Sequence, residues 1–352
     1  MPALSQIHID QALTNVSVMY RNATYVADQV LPLLPVAKRS NKYFIYRRED
    51  FLSSSPLDAN NRPLSLRSPG SEAAEIDMQI SNSNYYAEEY AYRGLVTDAE
   101  VAVADNPLQP DTDQALQLTE RLMIDHEYQT ALMALGAGSY AASNKKFLVN
   151  AAGTAPGDVS WAKNNANTSP LANIRAARTQ IISGIARDAN TLIMGYDSAL
   201  ALAETSEVKT LMQYTNPDMV SGQGLPKTIR GLKTVVGIAQ RNNAPEGQPY
   251  AGAYLWNALD TGSYYGAALV CYVSPQPGLK TVSLGYTFDA PDDTTGQRGI
   301  AVRRWREDKR KGDMIEAAFL RDWRYIAVDG STNGWQSAGY ATAGYLIYGT
   351  TL

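Results

Sequence analysis

The spacing of apolar residues predicts three long helices. One lies at about 11–30, where the apolar residues fall on one stripe until prolines stop it. A second lies at about 112–135 and ends in a glycine-containing turn that starts at Gly136. The third, at about 170–187, has the cleanest apolar face, and Ser169-Pro170 supplies an N-cap followed by proline at the first helical position.

Elsewhere the chain is rich in segments typical of strands. Strand-favouring residues occur at 43–46, and apolar and polar residues alternate at 75–80. Residues 191–194 predict a buried strand, and short helices are expected at about 197–205 and 206–214. Further strands are expected at about 232–239, 266–273, 281–288, 299–306, 314–328 and 340–348. This order of elements indicates an α+β fold.

The region between the first two helices predicts a protruding hairpin. Its two strand-like arms flank residues 52–72, which contain three prolines and six serines and show no apolar period. A lone hairpin is marginally stable in water, and its open edges invite pairing with other chains. We therefore expect the hairpin to fold back on its own domain or to be covered by a neighbouring subunit.

The composition allows a substantial hydrophobic core, and the net charge lacks the positive excess that is typical of proteins that recognise nucleic-acid sequences. The chain has 352 residues, of which 45% are hydrophobic, and its net charge is −4. Its 22 tyrosines against 5 phenylalanines favour surfaces that stay half wet until a partner covers them, with compositional drift as the alternative. The single cysteine, Cys271, excludes a disulfide within the chain and is expected in a buried strand. The sequence has no apolar run of membrane-spanning length, and its first residues lack a signal-peptide pattern.

The sequence offers no motif for catalysis or metal binding. Its only histidines are His8 and His126, and neither has metal-ligand spacing. Residues 222–228 fail as a phosphate loop because Pro226 stands where the backbone must approach the phosphate. Asp125-His126-Glu127 occupies consecutive helical positions that cannot chelate together, so we expect a solvated or interface face there. We predict no catalytic residue, no metal ligand and no cofactor.

Several segments resemble the major capsid proteins of tailed bacteriophages. They include an N-terminal signature, the lead into a long helix, a strand-helix unit and two tail segments. These segments are Tyr25–Val36, Tyr43–Tyr46 with Asp50, Asn106–Gln109, Asn190–Tyr214, Ile315–Phe319 and Ala343–Ile347. Each motif alone is weak, and their order and spacing over nearly the whole chain carry the resemblance.

The resemblance implies the HK97-like capsid fold. Mapped onto this sequence, its parts are an N-terminal arm at 1–42, an extended E-loop hairpin at 43–95, a peripheral domain at 96–168 with a spine helix at about 112–135, an axial domain at 169–298, and strands returning to both domains at 299–352. Between Tyr46 and Glu100 the chain has no lysine. The isopeptide cross-link that some family members form from this loop is therefore not expected.

The resemblance also implies a function and partners. The chain would be a structural subunit that self-assembles into pentamers and hexamers and encloses double-stranded DNA, in a virion made in the host bacterial cytoplasm. Its partners would be further copies of itself, packaged DNA held non-specifically on the inner face, and scaffolding, portal and cement or decoration proteins, but no membrane.

Charged and aromatic residues in the hairpin, the long helix and the late strands are candidates for subunit contacts. They are Arg47, Arg48, Arg62, Arg67, Glu72, Glu75, Tyr86, Tyr90, Tyr92, Asp125, Glu127, Arg303, Arg304, Arg306, Lys309 and Arg310. In a strand, Arg304 and Arg306 share a face. We interpret the basic run at 303–310 as a solvated hairpin, as a source of inter-subunit salt bridges or as a contact with packaged nucleic acid.

Three other functions fit parts of the sequence. An encapsulin-like compartment would share the fold class and enclose enzymes instead of a genome. A hydrolase would have to use carboxylates alone, and nothing selects one carboxylate pair over another. Another virion component would share the tyrosine-rich composition without needing the long helix and extended loop in this order.

Overall fold

The computed structural model describes residues 8–9, 25–47, 63, 65–67, 69–70, 72, 81–104, 109–149, 157–213, 224–242, 244, 247–249, 252–257, 266–278, 281–292, 296–329 and 340–351. The helices among them are α1 (Ala27–Val30), α2 (Asp98–Val103), α3 (Pro110–Leu135), α4 (Pro170–Ile185), α5 (Tyr196–Glu204) and α6 (Ser206–Met212). The strands are β1 (His8–Ile9), β2 (Leu33–Pro35), β3 (Ser40–Phe44), β4 (Asn82–Tyr86), β5 (Glu88–Thr97), β6 (Lys145–Phe147), β7 (Thr191–Gly195), β8 (Thr228–Ile229), β9 (Leu232–Gly237), β10 (Gln240–Asn242), β11 (Gly252–Tyr254), β12 (Ala267–Cys271), β13 (Gly285–Ala290), β14 (Ala301–Glu307), β15 (Gly312–Tyr325), β16 (Val328–Asp329), β17 (Tyr340–Ala341) and β18 (Gly344–Tyr348).

Two of the three predicted long helices form where their end signals place them. α3 starts with proline in its first turn, and Asp111 and Asp113 lie near the positive end of its dipole. α4 starts at Pro170 and ends before Ala186, which adopts the left-handed conformation of a helix C-terminus. The helix predicted at 11–30 is wrong near its end, because Tyr25 and Val26 are not helical and α1 begins only at Ala27. The part of this prediction at 10–24 lies outside the described residues.

The longest strand, β15, organises the first sheet. β5 runs antiparallel along one side of it, from Thr97 opposite Gly312 to Glu88 opposite Arg321. β14 and then β13 follow along the other side, and β2 pairs with β13 in parallel. The strand β13 therefore lies in this sheet, whereas the sequence analysis placed it within the axial segment 169–298. Pairing between distant strands is not encoded in local periodicity, which explains the difference.

The second sheet has the order β6-β18-β12-β7-β9-β8. Its central strands β7 and β12 are buried at every position, as expected for strands that carry apolar residues on both faces. Cys271 closes β12 and is fully buried, which confirms the sequence prediction. α4 packs against β12 and β18 through its apolar face.

α3 connects two hydrophobic clusters. Its first half contributes Leu118 and Leu122 to a cluster with the first sheet. Its second half contributes Ala131 and Leu135 to the main core, which also contains the second sheet. A helix shared by both clusters fixes the position of one sheet relative to the other.

Buried tyrosines stabilise the C-terminal end of α3. Tyr140 donates a hydrogen bond of 2.7 Å to the carbonyl of Ala134, and Tyr325 donates one to the carbonyl of Met133. These carbonyls belong to the last turn, where the helix itself supplies no donor. Burial raises the pKa of Tyr325 to about 12. The tyrosine excess therefore serves the core as well as surfaces, because a buried hydroxyl is tolerated where an acceptor meets it.

The stem of the predicted hairpin is present. β3 pairs antiparallel with β4, from Ser40 opposite Tyr86 to Phe44 opposite Asn82. Beyond the stem, the returning arm continues as β5 and joins the first sheet, so this part folds back on its own chain. The alternation predicted at 75–80 and most of the loop at 52–72 lie outside the described residues.

Candidate assembly surface and its internal support

The structure separates the predicted contact residues into three groups. Exposed are Arg67, Glu72, Tyr86, Tyr92, Arg306, Lys309 and Arg310. Partly buried are Arg47, Tyr90, Asp125, Arg303 and Arg304, whereas Glu127 is fully buried. Arg48, Arg62 and Glu75 lie outside the described residues. The exposed residues are the ones that solvent, and therefore a partner, can reach in the single chain.

The tyrosines of β4 and β5 differ in their surroundings. Tyr86 is 52% exposed and Tyr92 is 39% exposed, which is high for aromatic side chains. The Tyr92 hydroxyl donates to the carboxylate of Asp125 on α3. Tyr90 instead packs against Phe319 of the first sheet, with ring centroids 5.4 Å apart. Of the tyrosines on β4 and β5, Tyr86 and Tyr92 are therefore the two that are exposed to solvent.

α2 is a short helix that the sequence analysis missed. Its N-terminus is a capping box, in which the Thr97 hydroxyl accepts from the Glu100 amide and the Glu100 carboxylate accepts from the Thr97 amide. Against the described part of the chain, none of its six residues is buried. Val101 is 51% exposed and Val103 is 80% exposed. The pattern Thr-x-x-Glu at 97–100 was the available sequence signal for this helix.

The basic run on β14 is paired within the chain. Arg303 contacts the carboxylates of Asp292 and Glu316, the second at 2.9 Å. Arg304 and Arg306 both contact Asp313, as their predicted common face requires. These pairs show that Arg303 and Arg304 already have partners within the chain, whereas Arg306, Lys309 and Arg310 lie exposed at the end of the β14–β15 hairpin, as the solvated-hairpin interpretation predicts. A contact of the exposed residues with a neighbouring subunit or with DNA stays a prediction. The carboxylates come from separate strands and turns, so their proximity depends on the fold and not on local sequence.

Further ion pairs connect this strand to the helices. Arg304 lies 3.0 Å from Asp111 in the first turn of α3, and Arg306 lies 2.5 Å from Asp98 in the first turn of α2. The Arg303 side chain is only 12% exposed, whereas that of Arg306 is 45% exposed. The network is thus desolvated at one end and open to water at the other.

We predict that Arg303→Ala destabilises the chain strongly and Arg306→Ala only weakly. Removing Arg303 takes the cationic partner from the buried ion pair with Asp292, and breaking a buried pair costs about 3 kcal/mol. The Arg306 pairs lie in solvent, where ion pairs contribute little and salt screens them. Urea unfolding of both variants measures the difference, and equal losses of stability would contradict this account.

Glu127 forms a buried joint between three parts of the chain. Its carboxylate accepts hydrogen bonds from the amides of Val26 and Ala27, each at 2.9 Å, at the N-terminus of α1. The same carboxylate accepts from the Trp256 indole nitrogen at 2.6 Å. Burial raises the pKa of Glu127, and the three donors act in the opposite direction. The joint holds α1 and the turn after β11 on α3.

The approach of Trp256 depends on a glycine in β9. A Cβ atom at Gly237 would lie 2.1 Å from Cδ1 of the Trp256 ring. Trp256 itself is fully buried. The absent side chain at Gly237 therefore leaves the space that lets the indole reach Glu127.

The structure corrects the interpretation of residues 125–127. His126 and Glu127 are buried, and of the three only Asp125 is partly accessible. The residues Leu118, Leu122, His126 and Thr130 follow each other at four-residue spacing, and all four are buried. This spacing was the signal that His126 lies on the inner face. The solvated or interface face predicted at 125–127 is therefore wrong for His126 and Glu127.

We predict that Glu127→Ala lowers the free energy of unfolding by about 3 kcal/mol, because it leaves three buried N–H groups without an acceptor. Glu204→Ala is the matched control, since Glu204 lies exposed at the end of α5. Chemical unfolding of the two purified variants makes the comparison. A Glu127→Ala variant as stable as the control would exclude Glu127 as a joint.

The described residues contain no cluster of three or more histidine, cysteine, aspartate or glutamate side chains that could hold a metal ion. Within the same residues, no helix combines the length and the apolar character that crossing a membrane requires.

Comparison with solved structures identifies the fold class. The chain matches a phage-related protein from Bordetella bronchiseptica with a TM-score of 0.64 and 19% identity, over 98% of both chains. It matches the capsid of cyanophage P-SCSP1u with a TM-score of 0.57 and 11% identity, over 94% and 89% of the two chains. An encapsulin from Synechococcus elongatus matches at 0.52 with 12% identity, over 96% and 94%. The fold is the HK97-like capsid fold.

A sequence relative agrees with the fold. The chain is 26% identical over 242 residues to the major capsid protein of Pseudomonas phage JBD67, covering 68% of this chain and 72% of the relative. No family model matches the sequence. The chain is thus related to phage major capsid proteins, which confirms the resemblance inferred from its motifs.

Proposed function

We propose that this chain is the major capsid protein of a tailed bacteriophage. It is a structural subunit of an icosahedral head, and its copies assemble into pentamers and hexamers around double-stranded DNA. The relationship to the JBD67 major capsid protein carries this proposal. The match of nearly the whole chain to a capsid structure supports it.

The surface of the subunit supports assembly with further copies. α2 presents Val101 and Val103 to solvent, and Tyr86 and Tyr92 lie exposed on β4 and β5. A contiguous exposed apolar patch is typical of a surface that a partner covers, and the proposal is that these residues contribute to such a patch. In a closed shell of identical chains, symmetry repeats the same contact around the particle, so every copy buries these surfaces against a neighbour.

The proposal assigns the parts of the chain by their family roles. α3 is the spine helix, the hairpin at 43–95 is the E-loop, and the segment 1–42 is the N-terminal arm, anchored from Tyr25 onward by the Glu127 joint. The peripheral and axial domains keep the proposed bounds 96–168 and 169–298, except that β13 pairs within the β15 sheet. Glu127 is no longer a proposed contact residue. The exposed candidates remain proposed, and they are Arg67, Glu72, Tyr86, Tyr92, Arg306, Lys309 and Arg310.

Several further properties belong to the proposal. The chain acts as a structural protein without catalytic activity. Packaged DNA contacts the inner face non-specifically, and scaffolding, portal and cement or decoration proteins are candidate partners. The protein is made in the cytoplasm of a host bacterium and resides in the virion.

An encapsulin-like shell is the second candidate, because the encapsulin from Synechococcus elongatus shares the fold. The sequence relative is a phage protein, which favours the phage head. The contents of purified particles distinguish the two candidates. DNA supports the head, and a copurified enzyme supports the compartment.

We predict that Val103→Asp prevents shell formation without unfolding the subunit. Val103 contacts little of its own chain, whereas a buried, unpaired carboxylate at a contact would be costly. Gel filtration followed by negative-stain electron microscopy should show closed particles or capsomers for the unmodified chain. Small species with an unchanged melting temperature are expected for Val103→Asp.

Ala176→Asp is the matched control, because it adds the same charge to an exposed position of α4. We expect this variant to assemble as the unmodified chain does. If the unmodified chain stays a monomer even with a crowding agent, the shell function is wrong. If Val103→Asp assembles normally, α2 is not a contact.

A further inference from the structure

Four exposed cations lie where the loop before β7 meets the turn between β8 and β9. They are Arg187 before β7, Lys227 before β8, Arg230 in the β8–β9 turn and Lys233 in β9. None of the four forms an ion pair with a carboxylate among the residues that the structure describes. We call this set the basic end of the second sheet.

Hydrogen bonds hold the segments of the basic end together. The Lys233 amide donates at 2.8 Å to the carbonyl of Asn190, which joins β9 to the loop before β7. Arg178 of α4 donates at 2.7 Å to the carbonyl of Arg230 and also pairs with Asp188 in the same loop. Arg178 and Asp188 neutralise each other, so their contribution is to fix the turn beside the loop.

Two of the four cations are held in place by neutral groups. The Arg187 guanidinium lies over the ring of Tyr272, just after β12, at 5.8 Å from the ring centroid. The Lys233 ammonium donates at 2.8 Å to the side-chain oxygen of Gln29. Both side chains are therefore positioned while their charges stay uncompensated. Because β12, β7 and β9 are adjacent strands about 4.8 Å apart, the basic end is a row about 10 Å wide.

The β8–β9 turn keeps an arginine where the backbone favours other residues. Arg230 and Gly231 have φ values of 49° and 81°, both in the left-handed region. Hairpin turns of this kind favour asparagine and glycine, because a larger side chain is crowded there. An arginine kept at a strained and exposed position indicates that its side chain serves a purpose outside the fold.

We propose that the basic end binds the phosphate backbone of double-stranded DNA. A duplex carries one negative charge per about 1.7 Å of its axis, so a row of cations about 10 Å wide faces several phosphates together. Such a continuous line of charge suits the row better than the separate carboxylates of a second copy. Guanidinium groups also match phosphate oxygens with paired N–H donors.

The charge of the whole chain makes a local surface of this kind necessary. The net charge is −4, so contact with a polyanion requires cations that are concentrated in one place and are not already paired. The proposal rests on the shell function proposed above, and it names the surface that packaged DNA would touch.

Binding of a labelled DNA duplex of mixed sequence to the unassembled full chain, measured by fluorescence anisotropy at several salt concentrations, tests the proposal. Arg187→Gln combined with Arg230→Asn removes two charges, and asparagine suits the left-handed position. We expect the slope of log affinity against log salt to become shallower by about 2, since each phosphate contact contributes about 1. Affinity at 0.1 M salt should fall about tenfold or more. The melting temperature should not fall.

Lys163→Gln combined with Lys209→Gln is the matched control, because it removes the same charge from exposed positions elsewhere. Lys209 lies on α6, where the Glu207 carboxylate accepts a hydrogen bond of 2.6 Å from Ser169 at the start of α4. Lys163 precedes a turn that is bonded to the start of α6. The basic end includes the loop that follows α4, a helix of 16 residues and therefore about 24 Å long. The control should bind DNA as the unmodified chain does.

A second pair of changes guards against loss of folding. Lys227→Gln combined with Lys233→Gln alters two exposed lysines of the same surface, and it should reduce the salt slope by the same amount. Unchanged DNA binding in both pairs of variants would overturn the proposal, and so would an equal loss in the control.

Assembly, followed by negative-stain electron microscopy, separates this proposal from the shell function. Variants of the basic end that bind DNA normally but no longer form shells would assign the surface to a contact between copies, against the proposal. Shells from a chain whose DNA binding does not depend on the basic end would leave the shell function standing and overturn the proposal. DNA binding that depends on the basic end, in a chain that never assembles, would support the surface and refute the shell function.

Discussion

The structure depends on one constraint: the carboxylate of Glu127 is buried and must be satisfied where it lies. A buried charge or polar group without partners costs several kcal/mol, so the fold has to bring donors to it. The donors come from the start of α1 and from Trp256, which lie far apart in sequence. Meeting this one requirement places the N-terminal segment and the end of the β10-β11 hairpin on the same face of α3.

α3, which carries Glu127, also contacts both sheets and the arginines of β14. It contributes to the hydrophobic clusters of both sheets, and its first turn takes part in the arginine network through Asp111. Glu127 and the arginines of β14 therefore find partners within their own chain. Exposed apolar side chains on α2 and exposed tyrosines on β4 and β5 suit a subunit that completes its contacts with further copies.

Local signals predicted much of this architecture. Pro170 located the start of α4, Gly136 located the end of α3, and an unbroken apolar run located β7. Ser169, the predicted N-cap, donates to Glu207 instead of capping α4. The interior polar contacts were not predictable, because Glu127 meets Trp256 and the amides of Val26 and Ala27 only in the fold. The arginine run shows the same limit: a dense basic sequence is typical of a surface, yet Arg303 contacts Glu316 on the adjacent strand β15 and Asp292 in the segment after β13. The four-residue spacing from Leu118 through His126 is visible in the sequence and indicates a buried His126, but it was not used for that prediction.

The central claim is that these exposed features become subunit contacts in a closed shell. A cryo-electron microscopy reconstruction of purified particles, at a resolution that traces side chains, tests it most directly. The account predicts icosahedral symmetry, with Val101, Val103, Tyr86 and Tyr92 covered by neighbouring copies and Glu127 bonded within its own chain. Particles in which α2 and both tyrosines face solvent, or in which Glu127 contacts a neighbour, would contradict it.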